Sequence, residues 1–333
     1  MRAIVVEQTG GPEKLVQRDL PEPVAGPGEV VIDVAYAAAN WSDIQKREGV
    51  YPDPVQYPAV LGLEVSGHVA AVGRGVRHLE PGHRVAAITA PYMTGGYAER
   101  VKVGSRYVIP LPETISLQLG AAFPVVTLTA YHLLKSAHSL RRGQVILVHS
   151  IGGAVGLMVT QMAVAMGARV IGTVGSRSKS ERALAYGAHF VVDRSKEDFV
   201  EAALDFTGGR GVDLVIDSLG ADILPRSFDA LRTYGRVINI GEAAGYPNFD
   251  IRSKLYERST SLAGFEVLHA ASDLRRWRRG IRSVVSDVAS GALEVPIEGV
   301  YPLDEARALH ERLEGRGVSG KLLLEVAGEP AGR

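Results

Sequence analysis

One segment constrains the fold of this sequence most: an apolar strand that runs into a glycine-rich turn and then a helix. Val145–Val148 is the strand, and Gly152, Gly153 and Gly156 follow it. Free N–H groups at the start of a helix carry partial positive charge and bind phosphate groups. Gly153 lets the backbone approach such a ligand, and Gly156 permits close packing of helix on strand. The segment therefore predicts a pyrophosphate-binding turn, although Ile151 replaces the first glycine of the usual pattern.

Apolar strands alternate with helices from about Glu113 onward. Repeated β-α-β units of this kind predict a doubly wound parallel sheet with right-handed crossovers. The predicted strands are Val145–Val148, Arg169–Thr173, Phe190–Val192, Val212–Asp217 and Arg236–Ile240. The predicted helices run from the glycine turn to Met166 and over Lys179–Tyr186, Lys196–Phe206 and Ala221–Leu231.

The two ends of the chain have a different pattern of predicted secondary structure. About the first 110 residues are rich in short Val and Ile runs between Gly and Pro, which predicts a small antiparallel barrel or sandwich. Its predicted strands are Ala3–Val6, Glu29–Tyr36, Glu64–Val72, Arg84–Ile88 and Ala98–Val103. The C-terminal elements are predicted at Asp273–Ser290, Ile297–Tyr301, Asp304–Leu313 and Lys321–Val326, with a frayed tail at 328–333. The fold class is therefore α/β.

Composition excludes several classes of function. The 333 residues carry 37 Lys and Arg against 37 Asp and Glu, so the net charge is zero and a nucleic-acid partner is not expected. The sequence contains no Cys, which removes disulfides, thiolate metal sites and Cys nucleophiles.

Two stretches are long enough to be compared with membrane spans. Thr114–Leu134 and Gly143–Ala168 contain no Asp, Glu, Lys or Arg. Pro124 interrupts the first and the glycine turn interrupts the second, so both are predicted to be buried core and no membrane partner is expected. The N-terminal apolar run, Ala3–Val6, is too short for a signal-peptide core, and the cytoplasm is the expected location.

Motifs along nearly the whole chain make the sequence similar to a known family. They are Gly11-Pro12-Glu13-x-Leu15, Asn40-Trp41-Ser42-Asp43, Gly49-Val50-Tyr51-Pro52, Gly62-x-Glu64-x-x-Gly67, Pro81-Gly82-x-Arg84-Val85, the glycine turn, Asp217-Ser218-Leu219-Gly220 and Gly320-Lys321. With these motifs the chain resembles the zinc-free, zeta-crystallin-like quinone oxidoreductases of the medium-chain dehydrogenase/reductase superfamily.

The resemblance implies a GroES-like catalytic domain of residues 1–120 and 267–333 and a Rossmann NADPH-binding domain of residues 121–266. It also implies a cleft between the two domains, a homodimer, and a set of cofactor-binding residues in which Lys321 lies near the nicotinamide end. The implied set is Asn40, Thr127, Gly152, Gly153, Ala154, Val155, Gly175, Ser176, Arg177, Lys179, Arg194, Leu219, Ile240, Gly241, Phe265 and Lys321.

The residues after the second Rossmann strand indicate which nicotinamide cofactor is used. An NAD-binding fold usually has an Asp or Glu there, which binds the ribose 2′-hydroxyl. This sequence has no acid before Glu181 and offers Ser176, Arg177 and Lys179, which suit a 2′-phosphate. Arg194, where the family usually has Tyr, could stack or add a phosphate contact. The pattern predicts NADPH; the alternative is that these cations only solvate the start of a helix.

Zinc chemistry is not expected. The resemblance places the ligands of zinc-dependent relatives at Asn40, Leu63 and Val125, whose side chains cannot replace thiolate and imidazole. No metal site is therefore predicted. Glu64, beside one of the lost ligands, is interpreted as a buried and paired carboxylate, and Asp43 as a residue that fixes the local backbone.

The resemblance implies an NADPH-dependent reductase that transfers hydride to quinones or other α,β-unsaturated carbonyl compounds. Negative charge then develops on the substrate oxygen and, without zinc, hydrogen-bond donors must stabilise it. The candidate catalytic donors are Tyr51, Asn40 and Thr127. A packing role in a Tyr-Pro turn is an equally open interpretation of Tyr51.

Two alternatives stay open. An enoyl-thioester reductase, working on coenzyme A or acyl-carrier-protein substrates, would use the same chemistry with an acidic carrier as partner. A basic face on one predicted helix could bind that carrier, or could be solvated or form salt bridges across a dimer contact; it consists of Arg275, Arg278, Arg279 and Arg282. The other alternative is an NADPH-binding protein with a structural or regulatory role, because a fold does not fix a function.

Overall fold

The computed structural model describes residues 1–315 and 317–327, and the tail predicted to be frayed, 328–333, lies outside them. The chain forms two compact units. The first unit contains Met1–Val125 and the chain from Val285 onward, and the second is Val126–Val284. The domain boundaries placed at residues 120 and 266 stay a prediction.

Short strands dominate the N-terminal part of the chain. Its elements are β1 (Arg2–Val6), β2 (Leu15–Asp19), β3 (Glu29–Ala38), α1 (Trp41–Glu48), β4 (Ala59–Val60), β5 (Glu64–Val72), β6 (Arg84–Ile88), β7 (Arg100–Gly104), β8 (Val108–Pro110), α2 (Leu117–Ala122) and α3 (Pro124–His132).

Strands and helices then alternate, as the sequence predicts. The elements are β9 (Val145–His149), α4 (Ala154–Ala165), β10 (Arg169–Val174), α5 (Ser180–Ala185), β11 (Phe190–Asp193), α6 (Phe199–Phe206), β12 (Val212–Asp217), α7 (Ile223–Ser227), β13 (Leu231–Asn239), α8 (Ile251–Glu257) and β14 (Ser261–Gly264). The C-terminal elements are α9 (Leu274–Ala289), β15 (Ile297–Pro302), α10 (Ala306–Glu314) and β16 (Lys321–Glu325).

The second unit is built on a six-stranded sheet with the order β11-β10-β9-β12-β13-β14. Every neighbouring pair is parallel, which confirms the predicted Rossmann sheet. Buried aliphatic side chains such as Leu147, Ile171 and Val215 form its core. The strand order reverses at β9, and ligands of such sheets bind outside the carboxyl ends of the strands at this point.

The first unit contains two sheets. One has the order β2-β1-β4, and the other has the order β15-β16-β3-β5-β6-β8 with β7 also paired to β3. The N-terminal strand pairs are antiparallel, as expected from the sequence, whereas β15 and β16 run parallel. Buried residues from both segments of the unit, among them Ile32, Val65 and Leu324, share one core.

The helices differ from the sequence-based prediction in bounds and in number, because none was predicted at α1, α2, α3 or α8. The prediction of a helix over Ala221–Leu231 is wrong at both ends, because Ala221 has a φ of 41° and Leu231 already pairs with Val212 in the sheet. Helix α1 was not predicted. Its first turn is held by Asp43, whose carboxylate accepts from the Asn40 N–H at 2.9 Å.

The two charge-free stretches belong to the interior. Thr114–Leu134 contains α2 and α3, Gly143–Ala168 contains β9 and α4, and most of their residues are buried, which confirms the prediction. Among residues 1–315 and 317–327, no helix has the length and apolar character needed to cross a membrane.

Candidate active site

The cofactor-binding residues expected in the second unit follow the carboxyl ends of its six strands, apart from Thr127, which is buried on α3. Parallel strands bring these ends to one edge of a sheet. Gly152, Gly153, Ala154 and Val155 follow β9; Gly175, Ser176, Arg177 and Lys179 follow β10; Arg194 follows β11; Leu219 follows β12; Ile240 and Gly241 follow β13; and Phe265 follows β14.

The turn after β9 has the backbone of a phosphate cradle. Gly153 is the N-cap residue of α4, and no side chain caps this helix start. A Cβ on Gly156 would lie 2.6 Å from the Ser150 carbonyl oxygen, so only glycine permits this packing. A Cβ on Gly153 would meet only that oxygen, at 3.2 Å. Amide groups at a helix start that no side chain caps suit the pyrophosphate of a dinucleotide.

The segment after β10 carries cations suited to a further phosphate. Arg177 is exposed, and its guanidinium makes no hydrogen bond or ion pair within the described residues. Ser176 Oγ lies 3.1 Å from Ser178 Oγ, and both residues are exposed. Lys179 is partly buried and adjoins the glycine turn, because a Cβ on Gly152 would lie 2.6 Å from the Lys179 carbonyl oxygen.

Two buried polar residues support this edge and were not assigned a role from the sequence. Asp217 ends β12 and accepts from Leu219 N at 3.0 Å and Gly220 N at 3.1 Å, which fixes the turn that carries Leu219. Burial raises the pKa of Asp217 to about 6. His149 ends β9, and burial lowers its pKa to about 3, with Arg194 and Arg226 acting in the same direction. A polar residue at the last position of an apolar strand is the signal that could have found both.

The first unit holds a buried cluster around Glu64. Glu64 is 0% and Lys321 2% exposed, and the Lys321 ammonium donates to Glu64 Oε1 at 2.8 Å. The ammonium also donates to the Ala39 carbonyl at 2.9 Å and to Asn40 Oδ1 at 2.8 Å. Asn40 Nδ2 in turn donates to Glu64 Oε1 at 3.1 Å. The interpretation of Glu64 as a buried, paired carboxylate is confirmed.

Two effects act on the pKa of Glu64 in opposite directions. Burial raises the pKa of Glu64, while the Lys321 charge and the donated hydrogen bonds act to lower it. The three hydrogens of the ammonium are all engaged by Ala39, Asn40 and Glu64. Direct contact of the Lys321 ammonium with a cofactor would therefore require one of these bonds to break.

The resemblance assigns the zinc-ligand positions of zinc-dependent relatives to Asn40, Leu63 and Val125. In this structure two of these residues donate hydrogen bonds to Glu64. Asn40 Nδ2 and Val125 N both donate to Glu64, the latter at 2.8 Å, and Leu63 is buried. Across the described ranges, 1–315 and 317–327, no group of three or more His, Asp or Glu side chains is placed to hold a metal ion.

Tyr51 is partly buried and lies against a buried cation. The Lys46 ammonium is 4.7 Å from the centre of the Tyr51 ring, and Lys46 is 1% exposed. That ammonium also donates to the Met93 carbonyl. Lys46 was not singled out from the sequence, because nothing in the pattern around it distinguishes a buried lysine from a solvated one.

A second group of hydrogen-bonded polar residues contacts α1. Asp43 accepts from Asn40 N, from Gly62 N at 3.1 Å and from the Tyr97 hydroxyl at 3.4 Å, which confirms its role in fixing the backbone. His310 Nε2 lies 3.2 Å from the Tyr97 hydroxyl oxygen, and its Nδ1 lies 3.2 Å from the Arg47 guanidinium. Burial lowers the pKa of His310 to about 3. Because a guanidinium only donates, Nδ1 accepts and Nε2 carries the proton.

A nucleotide-binding sheet of this strand order, in one chain with a GroES-like unit, defines a medium-chain dehydrogenase/reductase. Family models agree: that of the alcohol dehydrogenase GroES-like domain matches residues 26–113, and that of the zinc-binding dehydrogenases matches residues 154–282.

Full-length relatives narrow the family. Quinone oxidoreductase 1 of Escherichia coli is 34% identical over 328 residues, which cover 95% of this chain and 96% of the relative. A 2-haloacrylate reductase of a Burkholderia species is 30% identical and covers 97% of this chain and 98% of its own. The solved structure of Escherichia coli quinone oxidoreductase complexed with NADPH superposes with a TM-score of 0.93 at 31% identity, covering 98% and 100% of the two chains. This chain belongs to the quinone oxidoreductase family.

Proposed function

We propose that this protein is an NADPH-dependent oxidoreductase that reduces quinones and other α,β-unsaturated carbonyl compounds. The observation that carries the proposal is the start of α4, which no side chain caps, together with Arg177 at the same sheet edge, whose guanidinium has no ion-pair partner in the described part of the chain. Its family includes quinone oxidoreductases and a 2-haloacrylate reductase, and one relative is solved with NADPH. A purely structural NADPH-binding role is disfavoured, because these full-length relatives are named as enzymes.

Each group of residues has a place in this proposal. The bound nicotinamide supplies the hydride. The amides that start α4 hold the pyrophosphate, and Ser176, Arg177 and Lys179 hold the 2′-phosphate. Tyr51 and Thr127 donate hydrogen bonds toward the oxygen that gains negative charge. In this proposal residues 121–266 form the cofactor domain, and residues 1–120 and 267–333 form the catalytic domain.

The assembly and location expected from the sequence are part of the proposal. The protein is a homodimer of the cytoplasm that works without zinc and without a nucleic-acid partner. Analytical ultracentrifugation of the purified protein measures the assembly, and a single species with the mass of one chain would overturn the dimer.

The experiment that tests the reaction is an assay of NADPH oxidation with the purified protein. A small quinone and a small enone are the substrates, and NADH is the matched alternative cofactor. We expect consumption of NADPH with both substrates and little with NADH. An absence of NADPH oxidation with either substrate would overturn the proposal.

A second candidate, reduction of enoyl thioesters on an acidic carrier, is favoured by one surface. Four exposed arginines share a face of α9, and their guanidinium groups make no hydrogen bond or ion pair within the described residues. They are Arg275, Arg278, Arg279 and Arg282. Trp277 and Gly280 are on the buried side of the helix. Unpaired like charges at this spacing repel one another unless an anion is bound.

Carrier binding predicts a difference between two enoyl substrates. An enoyl ester of coenzyme A or of an acyl carrier protein should have a lower KM than the same enoyl group on a short uncharged thiol. Replacing Arg279 and Arg282 by Ala should remove that difference, whereas Arg307→Ala, which breaks the surface pair with Glu311, should not. Equal KM values in the wild type would exclude the carrier.

A further inference from the structure

The side-chain amide of Asn40 is held between two opposite charges. Its Oδ1 accepts from the Lys321 ammonium at 2.8 Å, and its Nδ2 donates to the Glu64 carboxylate at 3.1 Å. An ammonium group can only donate, and an ionised carboxylate can only accept. The two charges therefore allow one orientation of the amide, with the oxygen toward Lys321 and the nitrogen toward Glu64.

This orientation limits what Asn40 can offer to a ligand. Nδ2 has two hydrogens, and the second is donated to the Ala38 carbonyl at 3.3 Å. Any further hydrogen bond of the side chain must therefore be accepted at Oδ1. Asn40 is only partly buried, so its amide is not sealed within the core as Glu64 is. The sequence-based role of Asn40 as a donor to the substrate oxygen would require the bond to Glu64 or to Ala38 to break.

The charged pair is costly to bury and needs a compensating role or compensating contacts. Burying two ions carries a large desolvation penalty, which their mutual attraction must offset. Here the compensation is dense, because Lys321 has three acceptors and Glu64 also accepts from Val125 N at 2.8 Å. A pair of neutral residues could fill the same space, but it would not fix which end of the Asn40 amide faces which neighbour.

We propose that Lys321 and Glu64 are positioning residues that lock the Asn40 amide as a hydrogen-bond acceptor. The ligand group it receives is a hydroxyl or an N–H donor of the bound cofactor or substrate. Only the identity of the ligand rests on the proposed function, since the locked orientation is a property of the unliganded chain.

The orientation is tested first, by thermal unfolding without any ligand. Asn40→Asp places a carboxylate against Glu64, and Glu64→Gln deprives Lys321 of its anion, so each should lower Tm by several degrees. The combined variant Asn40→Asp/Glu64→Gln restores both relations, because the glutamine amide can donate to the new aspartate and that aspartate pairs with Lys321. We expect the combined variant to recover most of the lost Tm.

Additive losses in the combined variant would overturn the locked orientation. The partly exposed pair of Lys254 and Asp229 is the matched control, because an ion pair in contact with water contributes little to stability. Lys254→Met should therefore shift Tm far less than the substitutions at Asn40 and Glu64.

The role toward a ligand is tested by titration with NADPH and by the KM for cyclohexenone. Lys321→Met should raise one of these constants about tenfold, the equivalent of one hydrogen bond to a charged or polarised group. If Lys321 acts through Asn40, then Asn40→Ala should add less than twofold in the Lys321→Met background, although it costs about tenfold alone. Independent, multiplying effects would overturn the positioning role.

The two proposals fail in different ways. Wild-type protein that binds no NADPH and turns over no cyclohexenone would overturn the proposed function and the ligand assigned to Asn40. The rescue of Tm in the combined variant would still establish the locked amide. Conversely, a normal reductase whose constants change less than twofold in Lys321→Met would leave the function intact and overturn the positioning role.

Discussion

The two units prepare polar groups for a ligand in opposite ways. In the unit of Val126–Val284 the groups are backbone amides and an exposed cation, Arg177, whose guanidinium makes no hydrogen bond or ion pair with any residue that the structure describes. In the other unit Lys321 and Glu64 are almost fully buried, and they bond to each other and to neighbouring groups of the same unit. The first arrangement leaves charge available for an anion that arrives from water. In the second arrangement the charged groups hydrogen-bond their neighbours and hold them in place.

The same contrast separates two buried histidines, one from each unit: His149 and His310. His149 Nδ1 is 3.0 Å from the Thr173 hydroxyl and its Nε2 is 3.0 Å from the Ser227 hydroxyl, so neutral partners hold it. His310 lies between Tyr97 and the charged Arg47. Both are kept neutral by burial, one beneath the nucleotide edge and the other within the group of polar residues that contacts α1.

The largest expected effect concerns Tyr51, the proposed donor of the catalytic unit. Tyr51→Phe keeps the ring against Lys46 but deletes the hydroxyl. Loss of one preorganised donor commonly costs ~3 kcal/mol, or about two orders of magnitude in turnover. Enone turnover should fall by that amount and quinone turnover by less, because quinones are reduced more easily. NADPH affinity should change little, as measured by titration.

Tyr57→Phe is the matched control for Tyr51. The Tyr57 hydroxyl is bonded to the Lys46 carbonyl, so this phenol is engaged within the protein. Turnover of Tyr57→Phe should stay close to that of the wild type. Enone and quinone turnover within twofold of wild type in Tyr51→Phe would reduce Tyr51 to a packing residue.

The next effect is a loss of stability in acid that both units share. The pKa of His149 is lowered to about 3 in the folded chain, whereas an unfolded histidine has a pKa of about 6.5. Between these two pH values His149 is therefore protonated in the unfolded chain and neutral in the folded chain. The free energy of unfolding therefore falls as the pH drops below 6.5, by about 2 kcal/mol at pH 5 for such a histidine. Urea unfolding at pH 7 and pH 5 measures this, and His149→Gln should remove that share.

His310→Gln should remove a similar share, because the pKa of His310 is also lowered to about 3. A pH dependence that is the same in the wild type and in both variants would show that neither histidine is held neutral. A change in His310→Gln alone would mean that the contrast between neutral and charged partners decides the effect.

A smaller effect tests the two cations that follow β10, Arg177 and Lys179. NADPH should bind at least about tenfold more tightly than NADH, which is ~1.4 kcal/mol from charge-assisted bonds. Arg177→Ala and Lys179→Ala should reduce this preference and leave NADH affinity nearly unchanged. Lys196→Ala, an exposed lysine of the same unit, is the control. Equal affinity of the wild type for both cofactors would contradict the assignment.

No effect at all is expected from metal removal. The positions that the resemblance assigns to zinc ligands hold Asn40, Leu63 and Val125, whose side chains cannot replace thiolate and imidazole. Dialysis against a chelator should leave turnover unchanged, and elemental analysis should find no stoichiometric zinc. One zinc per chain, lost together with activity, would contradict this.

Much of the nucleotide unit could be predicted from local sequence, although β14, α3 and α8 were missed. β12 has the predicted bounds Val212–Asp217, and α4 starts at the predicted glycine turn, because hydrophobic period and glycine are local signals. The helix predicted over Ala221–Leu231 is too long, because its last residue belongs to strand β13. Leu231 has the apolar character of a helix position, but its pairing with Val212 is a long-range contact.

The catalytic unit could be predicted only in outline. The strands Glu64–Val72 and Arg84–Ile88 have their predicted bounds, yet the contact between Lys321 and Glu64 joins residues 257 positions apart. No periodicity reports such a pair, and a buried lysine looks like a surface lysine in sequence. The orientation of Asn40 follows from that pair, so its role as an acceptor could not be derived before the fold was known.

The central claim, hydride transfer from NADPH to a conjugated carbonyl, is tested most directly by isotope tracing. The purified protein would be incubated with NADPH carrying deuterium at C4 of the nicotinamide, in ordinary water, with cyclohexenone as substrate. The account predicts cyclohexanone with one deuterium at the β-carbon and a solvent hydrogen at the α-carbon. Two NADPH samples would be used, each with deuterium on one face of C4. Product that carries no deuterium with either sample, or no product although NADPH binds, would contradict the account.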